Sequence, residues 1–91
     1  MSQVRILDFW AEWCGPCDQQ DNEIEQLQEE IEDNDDITVE KYNVETNQEL
    51  ANEYNVRTLP TIVVLNEDTV VHQFSGLTNW QDILDVAQDS L

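Results

Sequence analysis

Phe9-Trp10-Ala11-Glu12-Trp13-Cys14-Gly15-Pro16-Cys17 carries both cysteines and two of the three tryptophans, and it reads as a strand running straight into the start of a helix. Two cysteines separated by two residues can close a small disulfide ring when the second lies in the first helical turn and the first at its mouth. The unpaired backbone N–H groups and the macrodipole at a helix N-terminus favour negative charge, so the leading cysteine ionises more readily than a free thiol. Cys14 is therefore the expected nucleophile and Cys17 the resolving thiol. Pro16 fits the opening turn, where a missing N–H costs nothing, and Gly15 lets a partner's disulfide come close to the backbone.

The strand is Val4-Arg5-Ile6-Leu7-Asp8-Phe9-Trp10, apolar on both faces as a central strand covered on each side should be, with Asp8 the exception. Beyond the cysteines, Asp18 to Glu32 predicts a helix whose apolar stripe is Ile24, Leu27 and Ile31. Asp33-Asn34-Asp35-Asp36 breaks that period, and a second strand is expected from Ile37 to about Val44. Glu45 to Glu53 predicts a short helix with Leu50, Ala51 and Tyr54 as contacts and Thr46 or Asn47 as N-cap. Thr61 to Leu65 and Thr69 to Phe74 form a hairpin around Asn66-Glu67-Asp68, and Asn79 caps a last helix from Trp80 to Ser90 that presents Trp80, Ile83, Leu84 and Ala87 on one side. The order β-α-β-α-β-β-α implies an α/β fold, a four-stranded mixed sheet with helices on both faces.

Ninety-one residues suit one domain with a modest core and exclude a large substrate pocket. The sequence has no apolar run of membrane-spanning length, and Met1-Ser2-Gln3-Val4-Arg5 lacks the basic and apolar regions of a signal peptide. With both cysteines in the pair and none left for a structural bridge, a reducing compartment is expected, the cytoplasm. Two thiols and a single distant His72 fall short of the four ligands of a structural zinc, so no metal is expected. His72 itself reads as structural.

Asp8-Phe9-Trp10-Ala11-Glu12-Trp13-Cys14-Gly15-Pro16-Cys17 resembles the active-site segment of the thioredoxin family almost residue for residue, and the likeness extends through Lys41, the Arg57 to Thr61 segment with Pro60, and Gly76. A bare C-x-x-C is weak evidence, whereas Trp before it, Gly-Pro inside it and Leu-Pro-Thr downstream make the pattern specific. The resemblance implies a thioredoxin-like fold lacking the family's usual first strand and helix, which leaves the Ile37 to Val44 strand as a sheet edge blunted by Thr38, Glu40 and Lys41. It also implies a cis bond at Pro60 facing the cysteines, with Leu59 offering its main chain to a substrate strand. Trp13 and Gly76, with Leu77, would complete that substrate-binding surface, while Trp10 belongs to the core. Asn22 stands where the family's helix usually carries a kinking proline.

Asp8 shares its strand face with Ile6 and Trp10, and Lys41 shares its own with Val39 and Ile37, so both charges are expected among apolar groups. An unpaired buried carboxylate is costly, which leaves Asp8 two options: pairing with Lys41 or staying protonated. By resemblance, Asp8 handles the proton of Cys17 with help from Lys41. The implied activity is reduction of protein disulfides by a Cys14/Cys17 dithiol cycle, without a bound cofactor. The expected partners are disulfide-containing proteins and an upstream thioredoxin reductase, with the chain acting as a monomer. A thioredoxin-fold interaction module with incidental thiols, or a glutaredoxin-like enzyme using glutathione, are the alternatives; the second fits the short N-terminus but not Trp13-Cys14-Gly15-Pro16-Cys17.

Twenty-one Asp and Glu against three Lys and Arg give a formal charge of −18. Nucleic acid and anionic membranes are poor partners for such a chain. Because the acids alternate with apolar positions and do not form a tail, the sequence reads as folded and adapted to high salt, with an acidic docking surface as the alternative. Molar salt shortens the Debye length to about 3 Å and screens the self-repulsion. The melting temperature should therefore rise steadily from millimolar to molar potassium chloride, and a flat or falling curve would contradict the halophilic reading.

Overall fold

The computed structural model describes residues 3–91. Met1 and Ser2, at the N-terminus expected to carry no leader, lie outside them. The elements are β1 (Val4–Trp10), α1 (Gly15–Glu30), β2 (Ile37–Asn43), α2 (Gln48–Glu53), β3 (Thr61–Asn66), β4 (Thr69–Ser75) and α3 (Trp80–Asp89). They follow the expected order. α1 begins three residues earlier than the apolar period suggests, because Gly15, Pro16 and Cys17 are already helical. Its C-cap is Ile31, so the helix ends before Glu32.

Among the described residues the strands form one sheet of order β2-β1-β3-β4, with β1 parallel to β2 and antiparallel to β3. β2 is thus an edge, as expected. β1 lies inside, and the alternation of its side chains supplies two cores. Val4 and Ile6 join Ile24 and Leu27 of α1 and Ile83 and Ala87 of α3 on one face. Leu7 and Phe9 meet Ala51 of α2, with Tyr42 and Tyr54 packed around them, on the other. The Phe9 ring lies 5.7 Å from Tyr42 and 6.2 Å from Tyr54.

The edge at β2 is less bare than its sequence suggests. Arg5 grips Glu40 through Nε at 2.6 Å and Nη2 at 2.9 Å, and the Tyr42 hydroxyl donates to the same carboxylate. Two parallel charge-assisted bonds fix direction as well as adding energy. Arg5 also reaches Asp68 at 3.1 Å, so one guanidinium ties β1 to β2 and to the hairpin.

α2 departs from expectation: it starts at Gln48 and not Glu45. Asn47 occupies the N-cap position, but its side chain bonds backward, donating from Nδ2 to the Asn43 carbonyl at 2.9 Å. The local asparagine geometry outcompetes the helix for residues 45–47. Asn79 does cap α3, its Oδ1 accepting from the Asp82 N–H at 2.9 Å. His72 is exposed on β4, its ring 4.3 Å from that of Phe74.

The hairpin turn holds Glu67 at φ 48° and Asp68 at φ 72°, both left-handed. Two-residue hairpin loops need that sense to match strand twist, and asparagine tolerates it better than glutamate. Glu67→Asn should stabilise the protein by up to about 1 kcal/mol, the low end of the left-handed penalty it relieves. Urea melts in molar potassium chloride, where removal of one charge matters little, will test this.

Candidate active site

β1 ends at Trp10, and four residues later the chain enters α1, which places Cys14 at the N-cap and Cys17 inside the first turn. The two form a disulfide with Cα atoms 5.4 Å apart. Pro16 stands within the first two helical positions, as the fixed φ of proline favours. Both cysteines are largely buried, packed with Ala11 and against Trp10, Val44 and Leu59. Trp10, expected in the core, is only half-buried at its edge because it packs against the cysteine cluster at the strand end, while Trp13 is 70% exposed beside the cysteines. Gly15 is exposed, and a Cβ there would meet nothing within 4 Å among the described residues.

Leu59–Pro60 is cis. The Pro60 carbonyl accepts from the Gly76 N–H at 2.8 Å, which links the segment before β3 to the loop after β4. Gly76 sits at φ +89°, a conformation that side chains resist, so its glycine is a backbone requirement. Leu77 beside it is 49% exposed.

Asp8 lies on the α1 side of β1, 1% exposed, and neither carboxyl oxygen has a hydrogen-bond partner among the described residues. Burial pushes its carboxyl up from 3.8 to about 6; the Asp21 carboxylate adds to the rise and the Lys41 ammonium opposes it. Lys41 is Asp8's register neighbour on β2, but it does not lie among apolar groups as its strand face suggested. Its flexible stem carries the ammonium out to a partly exposed ion pair with Asp21 of α1, at 3.0 Å. The pairing between Asp8 and Lys41 is therefore electrostatic and not a direct bond.

Two residues of this region escape sequence reasoning. Asp21 is one turn beyond Cys17 on α1, and only the packing of α1 over β2 brings it to Lys41. Gln20 is fully buried and bonds the main chain of Thr78. Its signal was legible: positions 20, 24, 27 and 31 continue the apolar stripe, with an amide at its head. α1 runs unbroken past Asn22.

The thioredoxin family model matches residues 1–89. The chain belongs to the thioredoxin family. A thioredoxin of Rickettsia typhi is 35% identical over 86 residues, 94% of this chain and 80% of the relative. One of Bacillus subtilis is 40% identical over 73 residues, 80% of this chain and 68% of the relative. Among solved structures, a thioredoxin-2 described as a component of the malaria parasite protein secretion machinery matches with TM-score 0.87 at 28% identity, covering 96% of this chain and 82% of that one. A variant thioredoxin of Halobacterium salinarum matches with TM-score 0.85 at 34% identity, covering 98% and 75%. With its joined Cys14 and Cys17, this thioredoxin-family chain is a thiol-disulfide oxidoreductase of the protein disulfide reductase type. Among the described residues, no helix is long and apolar enough to cross a membrane.

Asp8 also leaves a mark on stability. A carboxyl whose folded value is raised stabilises relative to its ionised state below the unfolded value, and that advantage is lost as pH climbs through about 6. Raising it from 3.8 to about 6 corresponds to about 3 kcal/mol. From pH 4, where about half a kcal/mol is already lost, to pH 8, the stability of Asp8→Asn relative to the parent should thus shift by about 2 kcal/mol in the variant's favour. Paired urea melts across that range will show it, and a constant difference would mean that Asp8 ionises normally.

Proposed function

We propose that the Cys14 thiolate attacks one sulfur of a substrate protein's disulfide, expelling the other as a thiolate and forming a mixed disulfide. The Cys17 thiolate then attacks Cys14 Sγ, closing the Cys14–Cys17 bond and releasing the second substrate thiolate. Two electrons pass from the dithiol to the substrate. The buried, unpartnered carboxyl of Asp8 carries this reading, because a group with its proton affinity raised to about 6 is poised to take the Cys17 proton and to return it on reduction. Lys41, held by Asp21, keeps that affinity from rising further.

The substrate lies as an extended segment across Trp13, Gly15 and Pro16 on one side and Leu59, Pro60 and Gly76 on the other. The cis bond and the exposed Trp13 and Leu77 favour this placement. A thioredoxin reductase regenerates the dithiol, and the protein works as a cytoplasmic monomer in a salt-rich cell. The absence of any cysteine outside the pair, the −18 charge and the resemblance to a Halobacterium salinarum protein support these assignments.

Insulin reduction with dithiothreitol in molar salt should be lost in Cys14→Ser. In single-turnover release of a chromogenic thiol from Cys14, Asp8→Asn should leave formation of the mixed disulfide unchanged and slow its resolution by about 10²-fold or less near neutral pH. Equal release rates in Asp8→Asn and the parent throughout would remove Asp8 from the reaction.

A further inference from the structure

Gln20 lies on the inward face of α1, one turn beyond Cys17, with no exposed surface. A buried amide is costly unless bonded, and this one is bonded at both ends. Its Nε2 donates to the Thr78 carbonyl at 2.9 Å, and its Oε1 accepts from the Thr78 N–H at 2.9 Å. The Thr78 hydroxyl donates to the Gly76 carbonyl at 3.0 Å, and the Gly76 N–H donates to the Pro60 carbonyl at 2.8 Å. One turn further along α1, Glu23 accepts from the Trp80 N–H at 2.8 Å. The helix that carries both cysteines is therefore bonded to the loop that carries Gly76 and Leu77, and through it to the cis-proline segment.

We propose that Gln20 is a positioning residue for protein substrates, fixing the Gly76–Leu77 edge of the groove at its working distance from the cysteines. This rests on the groove reading given above. An apolar side chain of the same size would fill the space and preserve the packing of α1. It would leave Thr78 with an unpaired N–H and carbonyl, and the loop would have to move to find other partners. Displacements of about 1 Å in a positioning element are enough to degrade binding geometry. The reaction of Cys14 with a small disulfide needs no groove and does not feel the change.

The decisive comparison uses insulin and neutral dithiodipyridine as substrates, in molar salt. Gln20→Met should raise the KM for insulin about ten-fold, while kcat and the rate of reaction with dithiodipyridine stay within about two-fold. Gln20→Asn keeps the amide but draws it back by one methylene from Thr78, and should raise KM by a smaller factor; it answers the same question if Gln20→Met does not fold. Leu77→Asp, which alters the groove itself, should also raise the insulin KM. If Leu77→Asp raises it and neither Gln20 variant does, Gln20 is only a core amide and the proposal falls alone. If Leu77→Asp has no effect either, the groove reading has failed and takes the proposal with it. Parallel losses toward insulin and dithiodipyridine in the Gln20 variants would place the effect on Cys14, and would overturn the proposal too.

Discussion

β1 is covered on both faces, and the site follows from that burial. Its alternate side chains feed two separate cores, one under α1 and α3 and one under α2. The chain leaving its end therefore has a fixed place to turn, and α1 returns over one face with its N-terminus beside the strand end. That N-terminus holds Cys14, where helix N–H groups and the macrodipole favour a thiolate. The same covering removes water from Asp8, which is 1% exposed on the face that packs beneath α1 and α3. One act of packing thus creates an anion-favouring position for sulfur and an anion-disfavouring position for carboxylate, a few residues apart in one strand-to-helix unit.

What the sequence disclosed and what it hid separate along physical lines. Unequal faces mark α3, and short apolar runs of β-formers bounded by turn residues mark β1 and the hairpin, so these come out close to their true bounds. α2 was misplaced because residues 45–47 satisfy their polar groups locally through Asn43 and Asn47, and no apolar period marks where that stops. At the site, the cysteines and the burial of Asp8 were legible from residue type and spacing, and the cis bond at Pro60 from the family resemblance. The true partner of Lys41 was not. A lysine on a strand announces which face it starts from, but its four-carbon stem decides where the charge ends, and Asp21 belongs to another element. Gln20 was overlooked although its position was visible, because a lone amide on an apolar stripe declares burial without declaring its partner.

The distribution of charge carries a further consequence. Two of the three cations lie on strands, each in contact with carboxylates: Arg5 with Glu40 and Asp68, Lys41 with Asp21. Such part-exposed pairs contribute little stability singly. Their placement matters more, since Glu40 lies at the half-buried edge of the sheet, where an unmatched carboxylate would be worst solvated. The Arg5 hydrogen bond holds that carboxylate below its ordinary range.

Cys14 and Asp8 stand differently toward this field. Forming a thiolate at Cys14 adds one more negative charge to a chain already at −18, and most of the opposing charges are on the surface. Salt screens them over distances beyond a Debye length, so the cost of that thiolate falls as salt rises. Asp8 owes its raised proton affinity first to burial, and mobile ions do not enter a dry layer between strand and helix. Its smaller contributions, from Asp21 and Lys41, come from a partly exposed ion pair with opposite signs, and screening weakens both together. Concentrated salt therefore eases ionisation at Cys14 while leaving the raised proton affinity of the buried Asp8 in place, which lets an extremely acidic surface coexist with thiol chemistry at the mouth of α1.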